Sequence, residues 1–161
     1  ASIFLLIIGV AALARVMALS QVPNMLASGI LEMGLGRVEL LIILIFVYLI
    51  LGLFMDTLAM MLLTIPVLLI PLRTVGVDPL WFGVFLVVMA EVGLLTPPLG
   101  ILTFIVHRIA ADPEANLGRE ISLVTVFKGV APFALTALLV LLLLIFVPGI
   151  VTWLPGASAA Q

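Results

Sequence analysis

The sequence predicts an all-α membrane protein that contains a re-entrant helical hairpin and a broken transmembrane helix. Composition gives the class: 66% of the 161 residues are hydrophobic and 9% are charged, whereas a soluble domain is about half apolar and about a quarter charged. The apolar run over residues 40–72, with one charge inside it, predicts the hairpin. Adjacent prolines at Pro97 and Pro98 predict the broken helix, because each removes a backbone donor and clashes with the preceding turn.

Charge and cysteine content exclude several classes of partner and site. Six Lys and Arg against eight Asp and Glu give a net charge of -2 without a basic patch. Nucleic-acid binding depends on such a patch, so no nucleic-acid partner is expected. Cysteine is absent, which excludes disulfide frameworks and thiolate metal sites. Ala1 leads into an apolar run without a basic signal-peptide region, so we expect it to continue a preceding stretch of chain.

Residues 1–36 are predicted to form a transmembrane helix followed by an interfacial amphipathic helix. The stretch 2–19 is apolar except for Arg15 and is close to the ~20 residues that a bilayer crossing requires. Arg15 lies near the end of this span, where its long side chain reaches the headgroups. The stretch 21–36 mixes polar residues and glycines with apolar residues, which is typical of a helix lying in the interface.

Residues 37–73 are predicted to form the re-entrant hairpin. As one straight helix, residues 40–72 would be about 50 Å long, against a hydrocarbon core of ~30 Å. Two full spans would need about 40 residues and a connection. We therefore expect residues 40–55 to enter the membrane, the chain to turn at Asp56, and residues 57–72 to return.

Prolines mark both this returning arm and the next apolar segment. Pro66 and Pro71 are expected to kink or end the returning arm. Residues 74–106 are predicted to form a polar turn and then a discontinuous transmembrane helix. Thr96 is predicted to be the N-cap of its second half, Pro97 the first residue of that half, and the half-helix to continue to His107.

The last third of the chain holds a polar loop and one more span. Residues 107–128 are predicted to form the loop, which contains three of the six basic residues and is therefore expected in the cytoplasm. Residues 129–161 are predicted to form the last transmembrane helix, over 131–147, and a tail. Trp153 is expected to anchor at an interface. The uncharged end of the tail has no apolar stem, and we expect it to be the natural end of the chain.

The hairpin turn and the broken helix are devices by which secondary transporters place helix ends at the bilayer midplane. Carbonyl oxygens freed before each break, including that of Gly93, can form a cage for a hard cation such as Na⁺ with the Asp56 carboxylate and the Thr96 hydroxyl. The helix N-termini at Thr57 and Pro97 point partial positive charge inward, which suits a carboxylate substrate.

Each of the two interruptions also has a purely structural interpretation. A single Asp can bond the backbone of a turn, and a proline pair can form a packing kink. Together, in a chain with almost no other intramembrane polarity, the two interruptions favour a transport site. Glu91 lies one turn before the break and can serve as a proton site, as a supporting anchor, or as a group capped by an absent helix.

Enzymatic activity is not expected. His107 has no second histidine at i+4, so the paired-histidine zinc arrangement is absent, and we expect this residue to be an interfacial anchor. The sequence contains neither a Gly-x-Ser-x-Gly nucleophile elbow nor a glycine-rich phosphate loop that ends in Lys-Ser/Thr.

Several ordered blocks of residues resemble the large membrane subunit of the tripartite ATP-independent periplasmic (TRAP) transporters. The resemblance covers almost the whole chain, and the order of the blocks makes it specific. The blocks are Gly52-Leu-Phe-Met-Asp56-Thr57, the prolines Pro66 and Pro71, Gly76-Val-Asp-Pro-Leu-Trp-Phe-Gly83, Glu91-Val-Gly-Leu-Leu-Thr-Pro-Pro-Leu-Gly100, Lys128-Gly-Val-Ala-Pro-Phe133 and Thr152-Trp-Leu-Pro155.

The resemblance implies an elevator-type secondary carrier of the bacterial inner membrane, of which this chain is the second inverted repeat. It implies import of carboxylates such as sialic acids or dicarboxylates with Na⁺ as coupling ion. The implied partners are a small membrane subunit, a soluble periplasmic substrate-binding protein and a missing N-terminal half of the same polypeptide. Residues 1–36 would belong to the scaffold, and residues 74–106 to the transport domain.

Matching the family's blocks position by position gives the implied site. Asp56 would be a Na⁺ ligand at the hairpin tip, and Thr96 and the Leu99 backbone would complete the ion site from the broken helix. The family often carries Asn where this sequence has Leu102, which puts a polar substrate contact there in question. Two rivals remain: a proton-coupled carrier using Asp56 or Glu91, and a non-transporting assembly subunit.

Overall fold

A computed structural model describes residues 2–55, 57–96, 100–112 and 121–158 of the chain. In these parts the chain is helical, and they contain eight helices. They are α1 (Ser2–Ser20), α2 (Val22–Glu32), α3 (Arg37–Phe54), α4 (Thr57–Thr74), α5 (Pro79–Leu95), α6 (Ile101–Ala110), α7 (Leu123–Phe146) and α8 (Gly149–Ser158).

Three of these helices, α3, α4 and α7, are long and apolar enough to cross a membrane. The segments Ile7–Ser20 and Val22–Glu32 qualify together as a fourth span, although they are bent by 57° with respect to each other. The helix α5 is apolar but shorter, with 17 residues. The prediction of an all-α membrane protein is therefore confirmed, while re-entrant placement of the hairpin stays a prediction.

The bend between α1 and α2 lies at Gln21, whose φ of 59° is in the left-handed region that side chains other than glycine seldom adopt. Beyond the bend, α2 packs along α4 and also contacts α1. Its buried residues are Pro23, Ala27 and Ile30. The predicted second helix is thus present, but it is shorter than residues 21–36.

Glycine provides the turns after α2 and α4. Gly34 and Gly76 have φ of 66° and 77°, a conformation that glycine adopts without steric cost. After α4, the N–H of Gly76 donates to the carbonyl of Arg73 and that of Val77 to the carbonyl of Leu72, which is the Schellman arrangement. The predicted polar turn is confirmed here. It ends at Asp78, whose Oδ1 accepts from the N–H of Leu80 at 2.8 Å and caps α5.

The core lies where α5 packs against α3 on one side and α7 on the other. Phe85 is at its centre, with its ring centroid 5.8 Å from Tyr48 and 6.0 Å from Trp81. The Arg37 guanidinium lies 5.0 Å from the Trp81 ring centroid, in position for a cation–π contact. By contrast, α4 packs most against α2 and to an equal, smaller extent against α1 and α5. The two arms of the hairpin therefore differ in their main packing partner, although both contact α5.

Proline ends fewer helices than predicted. The helix α4 continues through Pro66 and Pro71 to Thr74, so neither proline ends the returning arm. In membrane helices a proline is tolerated where neighbouring helices cover the freed backbone groups, and Pro71 is buried by such neighbours.

The last span is also longer than predicted, because α7 begins at Leu123 and passes through Pro132. Ser122 is the N-cap of α7, because its Oγ accepts from the N–H of Thr125 at 3.2 Å. Lys128 is consequently helical, and the predicted loop over 107–128 is shorter at both ends, since α6 continues to Ala110.

The predicted end of the last span near Pro148 is confirmed, because α7 ends at Phe146. A further helix that the sequence did not predict, α8, follows over Gly149–Ser158. Trp153 lies on α8 with 66% of its surface exposed. Its role as an interfacial anchor stays a prediction.

Candidate ion and carboxylate site

The helices α3 and α5 touch through their backbones at two glycines. A Cβ atom added to Gly52 would lie 3.1 Å from the Cα of Gly93, closer than real Cβ contacts normally come. The approach is tight at position 52, whereas a Cβ atom on Gly93 would lie 3.4 Å from the Cα of Gly52, at the limit of ordinary contact. Gly52 is in the last turn of α3 and Gly93 is in the last turn of α5. The contact therefore brings the C-terminal ends of these two helices together.

At the hairpin, α3 ends at Phe54 and α4 begins at Thr57. Met55 is extended, with φ of -125° and ψ of 148°, and its N–H donates to the carbonyl of Leu51 at 2.9 Å. The turn between two helices agrees with the predicted tip. Asp56, the predicted Na⁺ ligand, lies outside the described residues, while Thr57 is half-buried as the first residue of α4.

At the broken helix, α5 ends at Leu95 and Thr96 is its C-cap. The Thr96 hydroxyl donates to the carbonyl of Val92 at 2.6 Å, and the Thr96 N–H donates to the carbonyl of Gly93 at 3.3 Å. The prediction that Thr96 is the N-cap of the second half-helix is therefore wrong. A Thr hydroxyl can bond the carbonyl four residues back as readily as it can cap a following helix.

The second half-helix, α6, begins at Ile101 with Gly100 as its N-cap. Pro97, predicted as its first residue, lies outside the described residues together with Leu99. A Cβ atom on Gly100 would lie 3.0 Å from the carbonyl oxygen of Thr96 and 3.1 Å from that of Leu95. Gly100 thus lies against the carbonyl end of α5.

Thr103 joins the two halves of the broken helix. Its side chain is fully buried, and its hydroxyl donates to the carbonyl of Leu95 at 3.2 Å. This residue is not among the predicted site residues. The available signal was a hydroxyl in an otherwise apolar half-helix, less than one turn after its start.

The arrangement leaves oxygen atoms available to a cation. Among the residues that the structure describes, the carbonyl of Gly93 accepts from the Thr96 N–H and that of Leu95 from the Thr103 hydroxyl, and a carbonyl oxygen has two lone pairs. The Thr96 oxygen donates its proton to α5, which leaves its lone pairs free to act as ligands. Helix C-termini carry partial negative charge. Of the predicted ion ligands, Gly93 and Thr96 therefore lie together at such an end.

Two other predicted polar residues lie away from this contact. Glu91 is exposed on α5 and lines a groove of about 560 Å³ between α5 and α7, together with Phe133 and Thr136. It precedes the buried Gly93 by two residues, which places it on the other side of the helix. The Nε2 of His107 lies 3.0 Å from the carbonyl oxygen of Ile121 and joins the ends of the α6–α7 connection.

Comparisons with known proteins place these features in a family. The model of the tripartite ATP-independent periplasmic transporter, DctM component, matches residues 1–150. A dicarboxylate transporter subunit of Paracoccus pantotrophus is 32% identical, covering 99% of this chain and 72% of its own length. The sialic acid TRAP transporter large permease protein SiaM of Vibrio cholerae is 32% identical, covering 96% of this chain.

A third relative, the C4-dicarboxylate TRAP transporter large permease protein DctM of Vibrio cholerae, is 29% identical over 89% of this chain. The chain spans 34% of SiaM and 30% of this DctM protein, so it corresponds to about a third of each. The family model matches nearly all of the chain. The helices that are long and apolar enough to cross a membrane agree with that match. The chain therefore belongs to the DctM-component family of tripartite ATP-independent periplasmic transporters, the permease proteins of the bacterial inner membrane.

Proposed function

We propose that this chain forms part of a Na⁺-coupled carrier that imports organic acids. The observation that supports it best is the contact between Gly52 and Gly93, because two helix C-termini side by side favour a bound cation. Asp56 follows Gly52, and Thr96 follows Gly93, within about one helical turn. Asp56 and Thr96, the two predicted side-chain ligands of the ion, therefore adjoin this contact in sequence.

In the proposed site, the Asp56 carboxylate, the Thr96 hydroxyl and the backbone carbonyls of Gly93 and Leu99 hold Na⁺. Oxygen ligands with one negative charge suit a hard monovalent cation. The bound ion neutralises the site and fixes the hairpin tip. The substrate carboxylate then binds near the helix N-termini, with Thr57, Thr96 and Pro97 as its neighbours.

Names of the relatives support the substrate class. They include permeases for sialic acid, C4-dicarboxylates and isethionate, all of which are organic acids. We propose the same class for this protein. The proposed partners are a small membrane subunit, a periplasmic substrate-binding protein and the remaining part of the permease polypeptide. The loaded domain, as the second repeat of an elevator, moves across the membrane relative to a fixed scaffold.

Thermal unfolding of the complete permease in NaCl and in KCl at equal ionic strength tests the ion site without knowledge of the substrate. A ligand that binds only the native state stabilises it by about 2.7 kcal/mol at a hundredfold excess over Kd. We expect a Na⁺-specific rise in Tm that the Asp56→Asn variant loses. Asp112→Asn, which removes a carboxylate outside the hairpin, should keep the rise.

A Na⁺ effect that survives in Asp56→Asn would remove Asp56 from the site. A second candidate, proton coupling, is favoured by the exposure of Glu91 in a groove lined mostly by apolar residues. It predicts equal Tm values in the two salts and uptake that follows a pH gradient and is lost in Glu91→Gln. Full uptake by Asp56→Asn would instead favour an assembly subunit without a transport role.

A further inference from the structure

Tyr48, the only tyrosine of the sequence, connects three helices. Its side chain is fully buried on α3. Its ring meets the ring of Phe85 on α5 edge to face, with the planes at 78°. Its hydroxyl donates to Oγ1 of Thr64 on α4, and that hydroxyl in turn donates to the carbonyl of Met60 at 2.8 Å. One side chain thus has an apolar contact with one neighbour and a polar contact with another.

The hydrogen bond joins the two arms of the hairpin at equal distances from its tip. Tyr48 precedes Asp56, and Thr64 follows it, by the same number of residues. At ~1.5 Å per residue, both partners lie about 12 Å along the helix axis from the tip. The main packing partner of α3 is α5 and that of α4 is α2, although both arms contact α5. The bond is a direct polar link between the two arms.

We propose that Tyr48 and Thr64 are positioning residues for the hairpin tip, which hold α4 at a fixed distance from α3 and so set the geometry of the ion site. This inference rests on the proposed Na⁺ site at Asp56. In an apolar interior no water replaces a lost hydroxyl partner, so the bond favours one arrangement of the arms. Its loss removes this direct link, so α4 can shift along α3 while it stays packed mainly on α2.

Hydrogen–deuterium exchange of the complete permease in lipid nanodiscs, measured in KCl, tests the positioning directly. Loss of one net hydrogen bond predicts that Tyr48→Phe and Thr64→Val each raise amide exchange over residues 50–62 about threefold to tenfold. Thr64→Ser keeps the hydroxyl and should remain at the wild-type rate. Thr136→Val is the matched control, because the Thr136 hydroxyl donates only within its own helix, to the carbonyl of Pro132.

No rise in exchange over residues 50–62, or an equal rise over α5 and α7, would overturn the inference. The second measurement is the Na⁺ concentration that gives half of the Na⁺-specific rise in Tm. We expect this concentration to increase about threefold or more in Tyr48→Phe and Thr64→Val, and to stay constant in Thr136→Val.

The two measurements separate the inference from the function on which it rests. If wild-type protein shows no Na⁺-specific rise, the proposed ion site fails, and exchange over residues 50–62 still decides whether the bond positions the tip. If exchange rises while the half-maximal Na⁺ concentration stays constant, the bond stiffens the hairpin without setting the ion site, and the inference is wrong.

Discussion

At the scale of single residues, hydroxyl groups determine how the broken helix is held. Thr96 donates back into α5, and Thr103 donates across the break to the carbonyl of Leu95. Both hydroxyls thus bond carbonyl groups that a helix end leaves without intrahelical partners. The sequence identified Thr96 as important but assigned it to the wrong half-helix, because threonine is common at N-caps and its local sequence does not reveal the direction of its bond.

Removal of the Thr103 hydroxyl should destabilise the break. Thr103→Val removes the fully buried hydroxyl that donates to the carbonyl of Leu95. The lost hydrogen bond should lower the free energy of unfolding by about 1–3 kcal/mol. Denaturant unfolding in detergent measures the loss. Thr74→Val removes an exposed hydroxyl that donates to the carbonyl of Ile70, and its effect should stay within about 0.5 kcal/mol. Equal losses of unfolding free energy in the two variants would show that the Thr103 hydrogen bond does not stabilise the break.

At the scale of helices, the close approach of α3 to α5 depends on two glycines that lie far apart in sequence. Gly52 and Gly93 each belong to blocks that suggested the family, yet sequence alone did not indicate their mutual contact. Helix limits near local signals were predictable, as at Asp78 and Pro148. The start of α7 was not, because a proline inside a buried or membrane helix does not act as a boundary.

The glycine contact gives a prediction with a control in the neighbouring helix. Gly52→Ala places a Cβ 3.1 Å from the Cα of Gly93, and forcing the backbones apart should cost about 1–3 kcal/mol. Gly83→Ala lies on α5 with open space around it and should stabilise the protein by about 0.5–1 kcal/mol through helix propensity. Thermal unfolding of both variants measures the difference. A stabilising Gly52→Ala substitution would show that the helices do not touch there.

At the scale of the whole molecule, the composition predicted the membrane class but not the packing of the helices. The two arms of the predicted hairpin, α3 and α4, each pack mainly against another helix. Such choices depend on contacts between distant segments, for which a single sequence offers no periodic signal. The candidate site is predictable to the same extent. The two helix interruptions indicate which residues to consider, but they do not indicate how those residues are arranged relative to one another.

The two tryptophans report how the molecule lies in the bilayer. Trp153 is 66% exposed on α8, and Trp81 is 1% exposed in the core. If Trp153 anchors at the interface, Trp153→Phe should remove part of the fluorescence that aqueous iodide quenches in proteoliposomes. Trp81→Phe should leave that part unchanged. If Trp153→Phe instead removes fluorescence that brominated lipid chains quench and iodide does not, Trp153 lies in the hydrocarbon region.

The separation of Gly52 from Gly93 in sequence affects how the protein is made. A ribosome adds about 5–20 residues per second, so α5 follows α3 out of the tunnel only after roughly 2–8 s. During this interval α3 and α4 exist in the membrane without the helix against which α3 finally packs. The tip therefore reaches its final shape late in synthesis, after Phe85 and Gly93 arrive. Truncation before α5 should leave a nascent chain whose hairpin is a substrate for membrane quality control.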